Sequence, residues 1–283
     1  MTIFKNKTDL IAYVDTIKSN NKTLGFVPTM GALHDGHASL IIEGLKQNDF
    51  VAVSIFVNPT QFDKQEDLVK YPRTLDSDVG LLSKISEDEI IVYAPTVEDI
   101  YGDNVVSTSF SYDGLEHEME GKFRDGHFDG VGTIVKRLFE IVRPDNSYFG
   151  EKDFQQLMII KKLVEKYDIP VKVNGCKIHR AEDGLAMSSR NMRLKPEYRN
   201  AAPFIYKTLK SAKEKFETKS ANKVTEWVSK QFAKHELLEL EYFIIADAET
   251  LKAVKRKSNK SSYRAFIAVY ADDIRLIDNI ALN

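Results

Sequence analysis

Short apolar runs alternate with amphipathic stretches along the first 175 residues, and that alternation predicts a parallel β-sheet flanked by helices. Residues 23–27 form one buried run, and 50–57, 89–93, 147–149 and 171–175 repeat it with β-branched or aromatic side chains. Between them, residues 37–47, 75–85, 130–142 and 154–167 carry apolar side chains at helical spacing, and 9–18 predicts an amphipathic helix ahead of the first run. Pro28 has no N–H and is expected to end the first strand's ladder. After about residue 185 the pattern changes. Two long polar helices, 196–218 and 222–235, precede strand-like runs at 240–245, 263–270 and 274–280, the order of a separate antiparallel body. The expected fold class is α/β: a Rossmann-like parallel sheet with helices on both faces over residues 1–180, then a smaller α+β domain with an antiparallel sheet over 181–283.

Composition changes this picture little but excludes several roles. With 283 residues and 43% hydrophobic content the chain can build substantial cores. Its 40 basic and 42 acidic residues leave no global pull toward nucleic acid or an anionic membrane. The basic run at 252–260 reads as a solvated loop between strands. Cys176, the lone cysteine, cannot form an internal disulfide. The start of the chain shows no basic-then-apolar leader, and no apolar run reaches the roughly 18 residues of a membrane span, so a cytoplasmic location is the expectation.

Chemistry concentrates where strands are expected to give way to helices. His34-Asp35-Gly36-His37 follows Met30-Gly31-Ala32-Leu33 at the first such junction. Helix starts offer backbone N–H groups and the positive end of the dipole, so a polyphosphate can bind there beside the imidazoles, with Gly31 and Gly36 allowing close approach. Two surface or capping histidines would give the same spacing. Zinc is disfavoured, because no third ligand stands at a suitable distance in sequence. After the second run, Asn58 and Gln61 project from a strand end, although Asn58-Pro59 also suits a plain turn. Gly150-Glu151-Lys152-Asp153 follows a later run, where Lys152 can meet a phosphate and Asp153 can cap the next helix. Met187-Ser188-Ser189-Arg190 supplies two hydroxyls and a guanidinium that can clamp a triphosphate or form an ordinary turn. Gly126-His127-Phe128-Asp129-Gly130-Val131 suits a flexible substrate wall. His117, His179 and His235 have no side-chain partner in the pattern and read as surface or structural imidazoles.

Taken in order and spacing, residues 28–37, 57–62, 124–131, 149–156 and 183–191 resemble the pantoate-beta-alanine ligase family, and the likeness reaches Arg275-Leu276-Ile277-Asp278-Asn279. Three departures stand out: Ile100-Tyr101-Gly102 where Met-Tyr-Pro is frequent, Arg124-Asp125-Gly126 where Arg-Pro-Gly is usual, and His179 where a small apolar residue is common.

The resemblance implies ATP-dependent joining of pantoate to beta-alanine through a pantoyl adenylate, with magnesium, in a homodimer. It implies an ATP site formed by Met30, Gly31, Ala32, Leu33, His34, Asp35, Gly36 and His37, by Gly150, Glu151, Lys152 and Asp153, by the backbone of His179, and by Met187, Ser188, Ser189 and Arg190. His37, His34 and Lys152 would stabilise charge during transfer. Gln61 and Gln156, with Asn58, would hold pantoate, and Gln61 would also lie near beta-alanine. Gln155 and Gln156 lie about 100° apart on a helix, so one of them enters the pocket, and the likeness selects Gln156. Neither a nucleic-acid nor a membrane partner is implied. Two rival readings are a nucleotidyl transferase that keeps its adenylylated product and a nucleotide-binding regulator without catalysis.

Overall fold

The computed structural model describes residues 1–62 and 65–283, and the chain divides into two compact units. One contains residues 1–151 and 155–177; the other contains 152–154 and 178–283.

The first unit is built on six parallel strands: β1 (Thr2–Phe4), β2 (Leu24–Thr29), β3 (Phe50–Ile55), β4 (Ile90–Tyr93), β5 (Asn146–Gly150) and β6 (Lys172–Cys176). They lie in the order β1-β4-β3-β2-β5-β6. Helices α1 (Lys7–Ser19), α2 (Asp35–Leu45), α3 (Gln65–Lys70), α4 (Leu75–Ser83), α5 (Val97–Tyr101), α6 (His127–Val142) and α7 (Phe154–Lys166) connect them. Strand pleating sends neighbouring side chains to opposite faces. Val27 joins Ile41 of α2 and Leu82 of α4 in one core, while Phe26 meets Phe139 of α6 edge-on. Progression outward from β2 through β3 and β4, followed by a jump back to β5, makes the β2/β5 boundary the point where strand order reverses. Ligands bind beyond the strand ends at such a crevice.

Several expectations need correction. Pro28 does not end its ladder: β2 pairs with β3 through Pro28↔Ser54 and Thr29↔Ile55. The carbonyls of Thr23 and Thr29 accept bonds from the β3 side and that of Leu24 from the β5 side, so alternation points Pro28 toward β5. There the pairing has already stopped at Phe26↔Ser147, and the missing N–H costs no bond. The helix at 130–142 begins three residues earlier, at His127, with Gly126 before it at φ 72°. His127, Phe128, Gly130 and Val131 are buried, so this segment is a packed first turn and not a flexible wall. The short elements β1, α3 and α5 were not expected.

The second unit carries α8 (Pro196–Ala201), α9 (Phe204–Thr218) and α10 (Ala221–Phe232) with an antiparallel sheet of β7 (Leu238–Asp247), β8 (Tyr263–Ala271) and β9 (Ile274–Ala281). The single helix expected at 196–218 is two, because Pro203 stands between α8 and α9 and cannot donate an N–H. Leu209, Ala212 and Val228 from the helices pack with Ala265, Ile267 and Val269 of β8 in a separate core.

Candidate active site

At the end of β2 the chain makes a tight, fully braced turn. The Thr29 hydroxyl donates to the Ser54 carbonyl at 2.7 Å and accepts the Gly31 N–H at 3.1 Å. Gly31 and Ala32 both take positive φ, 81° and 50°. A left-handed alanine is costly and needs an external hold. Asp78 of α4 supplies it: the buried carboxylate accepts the N–H of Ala32 at 3.1 Å and of Leu33 at 2.7 Å, and the Thr74 hydroxyl at 3.2 Å. No sequence signal pointed to Asp78, which stands 46 residues from Ala32.

His34 is the N-cap of α2. Its Nδ1 accepts the Gly36 N–H at 3.1 Å, while His37 Nδ1 reaches back to accept the His34 N–H at 3.3 Å, and the rings lie 4.1 Å apart. Both histidines are therefore caps. A nitrogen that accepts a backbone N–H carries no proton, so each neutral ring bears its hydrogen on Nε2 as a donor. The Gly36 amide, which an uncapped helix would leave without an intrahelical partner, is spent on His34. Asp35 is exposed.

Beyond β3, a 3-10 turn at Pro59–Gln61 carries Gln61. Asn58, 1% exposed, is occupied by the protein: its Oδ1 accepts the Tyr101 hydroxyl at 2.6 Å, and its Nδ2 donates to Gln61 Oε1 at 3.2 Å and to the Gly130 carbonyl at 3.3 Å. The Asn58 amide thus orients the Gln61 amide. Gln61 Nε2 meets Met30 Sδ at 3.0 Å, which joins the β2 and β3 loops. Burial pushes the Tyr101 hydroxyl pKa up, opposed by its contacts with Thr60, Arg137 and Asn58, so it remains a neutral donor. Gly102, where the family often has proline, takes φ 63°, a conformation closed to proline.

Gly150 closes β5 and Glu151 follows it, and α7 then presents two glutamines. Gln155 is buried and structural: Nε2 donates to the carbonyls of Leu115 and Glu118 at 2.8 and 2.7 Å, and Oε1 accepts the Glu120 N–H at 3.1 Å. Gln156 is half-buried.

In the second unit, Lys152 is half-buried, its ammonium 3.8 Å from Asp153, and its carbonyl accepts Asn279 Nδ2 of β9 at 2.8 Å. Asp153 closes a 3-10 turn that runs directly into α7. Asp278 of β9 forms a bidentate pair with Arg180 at 2.6 and 2.8 Å. Burial pushes the Asp278 carboxyl up, and the Arg180 guanidinium pulls against that shift. His179 is exposed and its carbonyl accepts the Met187 N–H at 3.0 Å. Ser188 caps the 3-10 turn Ser189–Arg193 by accepting the Arg190 N–H at 3.3 Å, and the Arg190 side chain is exposed. The structure therefore gathers Met30, His34, His37, Gln61 and Gln156 in the first unit. Lys152, Asp153, His179, Met187, Ser188, Ser189 and Arg190 fall in the second.

A family model described as pantoate-beta-alanine ligase matches residues 2–281. The pantothenate synthetase of Flavobacterium psychrophilum is 59% identical over 282 residues, covering 100% of both chains, and that of Christiangramia forsetii is 56% identical over 283. Among solved structures, pantothenate synthetase from Thermus thermophilus superposes with a TM-score of 0.91 at 36% identity, covering 100% of this chain and 99% of its own. The pantoate-beta-alanine ligase from Francisella tularensis, solved with beta-gamma ATP and beta-alanine, gives 0.80 at 34% identity, covering 100% and 98%. These likenesses span both units and agree with the switch-point geometry, and the chain belongs to the pantoate-beta-alanine ligase family.

Proposed function

We propose that the chain joins (R)-pantoate to beta-alanine in two steps, giving pantothenate, AMP and pyrophosphate. The observation that carries this reading is the reciprocal His34/His37 cap at the β2/β5 switch point, within a chain of this family. First, a pantoate carboxylate oxygen attacks the α-phosphorus of ATP, and the bond to pyrophosphate breaks. Then the beta-alanine amine attacks the acyl carbon, the bond to AMP breaks, and the amine loses a proton.

The residues suit this division. His34 and His37 donate from Nε2 to phosphate oxygens as charge grows on them. Lys152 is a point charge for the phosphates, and Ser188, Ser189 and Arg190 offer hydroxyls and a fork of donors on the same unit. Gly31, Ala32, Leu33 and Gly36, whose N–H groups are already bonded within the turn and the cap, shape the wall of the nucleotide site, and backbone groups of Gly150, Glu151 and His179 complete it. Gln61 and Gln156 hold pantoate through neutral amides. An arginine there would pair with the attacking carboxylate and lower its nucleophilicity. Among the described residues no group of three histidine, cysteine or carboxylate side chains could hold a metal ion, and magnesium would act on the phosphates. Bound there, magnesium would neutralise the departing pyrophosphate. Homodimeric assembly, a cytoplasmic location and a role for the C-terminal unit as a lid that excludes water from the adenylate belong to the same proposal. No described helix is long and apolar enough to cross a membrane.

Isotope exchange tests the sequence of steps. Labelled pyrophosphate should enter ATP when pantoate is present and beta-alanine is absent, because adenylate formation is a reversible partial reaction. Exchange that required beta-alanine would overturn the two-step order. An enzyme that accumulated the adenylate with beta-alanine present would instead be a nucleotidyl transferase.

A further inference from the structure

The first turn of α6 belongs to a motif that the proposed chemistry leaves without a role, and two of the motif's polar side chains, Arg124 and His127, converge on one backbone atom, the Gln61 carbonyl oxygen. His127, 8% exposed, places Nδ1 at 2.9 Å from that oxygen, and Arg124 places Nη2 at 3.2 Å from it. Arg124 Nη1 stands 3.2 Å from His127 Nε2. A carbonyl only accepts and a guanidinium only donates, which fixes the imidazole: Nδ1 carries the proton and gives it to Gln61, while Nε2 accepts from Arg124. The same turn presses on the backbone next door. A Cβ at Gly130 would lie 2.2 Å from the Thr60 carbonyl oxygen, and the Gly130 carbonyl accepts Asn58 Nδ2. Side chain and main chain of Gln61 are thus held from separate elements, the amide by Asn58 and the carbonyl by Arg124 and His127.

We propose that Arg124 and His127 are positioning residues that set the backbone of Gln61, so that its amide faces pantoate in one orientation. This rests on the reading of Gln61 as a pantoate ligand. Neither residue need touch substrate. A loosened Gln61 carbonyl would let the 3-10 turn rotate and blur the amide's aim, which weakens ground-state binding of pantoate and leaves the phosphate chemistry alone.

The test is a double-mutant cycle on the full chain, read as pantoate KM, ATP KM and kcat for pantoate-dependent pyrophosphate release. Loss of a buried hydrogen bond predicts that His127→Phe raises pantoate KM by about tenfold. ATP KM and kcat should stay within about twofold. His127→Asn, whose amide nitrogen stands near the place of Nδ1, should recover most of the loss. In a Gln61→Ala background His127→Phe should add almost nothing, because the residue it positions has gone. Arg124→Ala, at a half-buried site, provides the same cycle if the phenylalanine variant does not fold. Full multiplication of either loss with that of Gln61→Ala would overturn the positioning role while leaving Gln61 a ligand. A Gln61→Ala enzyme with normal pantoate KM would overturn the reading of Gln61 itself, and the proposal with it.

Discussion

The His34 and His37 imidazoles each spend Nδ1 on the fold, and in the proposed chemistry Nε2 serves the phosphates, so a substitution can separate the two uses. Asparagine at position 37 presents an oxygen near the place of Nδ1 and can still accept the His34 N–H, but it has nothing at the place of Nε2. His37→Asn should therefore melt like the parent while adenylate formation falls by roughly 10²-fold, the scale of losing a donor to developing charge. His37→Ala should lose both activity and about 1 kcal/mol of stability. Calorimetry beside single-turnover pyrophosphate release checks this, and an asparagine variant with near-normal turnover would remove His37 from the phosphate chemistry. The histidine spacing was legible in the sequence because it sits between a strand pattern and a helix pattern. The division of labour among the amides was not. Asn58 and Gln61 look alike as polar residues after a strand, yet the hydroxyl of Tyr101, 43 residues away, consumes the Asn58 oxygen and makes it the support for Gln61.

Among the elements, those with long periodic patterns were legible, and the misses have local causes. β1 has three residues and the exposure pattern of a strand only partly covered, too short to show a period. The sequence reading of Pro28 rests on its missing N–H alone, and Pro203 lies inside the 196–218 pattern without being read as a break. Position decides the outcome, since Pro28 turns that side toward unpaired space and Pro203 stands where a helix would need the bond. The support of the β2 turn was illegible for a related reason: α4 is readable as a helix, but nothing in its pattern says that Asp78 points under Ala32 and Leu33. Asparagine at 78 would keep one acceptor and turn an NH2 toward a backbone N–H, leaving a buried donor unpaired beside a strained turn. We expect Asp78→Asn to cost about 1–3 kcal/mol in denaturant unfolding. ATP KM should rise as well, because Ala32 and Leu33 lead directly into the histidine pair. A variant as stable as the parent would show that the turn holds its shape without the carboxylate.

At the scale of the whole chain, the two units do not divide cleanly by residue number. β5 and all but the first residue of α7 belong to the first unit, yet Lys152, Asp153 and Phe154 between them belong to the second. The cause is a set of contacts from the far end of the chain. Asn279 Nδ2 bonds the Lys152 carbonyl, the Arg264 guanidinium lies 4.1 Å from the centre of the Phe154 ring, and Phe154 and Phe266 have ring centroids 5.9 Å apart. Asn279 is itself fixed by its neighbour, since its N–H donates to Asp278 Oδ1 at 2.7 Å and the Arg180 pair holds that carboxylate. Lys152 is therefore anchored in the body that carries Ser188, Ser189 and Arg190, and the proposed triphosphate cations share one scaffold. Asp278→Asn leaves the largely buried Arg180 without its counter-charge, a loss of about 3 kcal/mol. Hydrogen exchange read by mass spectrometry should then quicken in β8, β9 and residues 152–154 together, while β2 and β3 keep their protection. If exchange quickened in β9 alone and residues 152–154 stayed protected, the anchor for Lys152 would have to lie outside the Asp278–Asn279 pair.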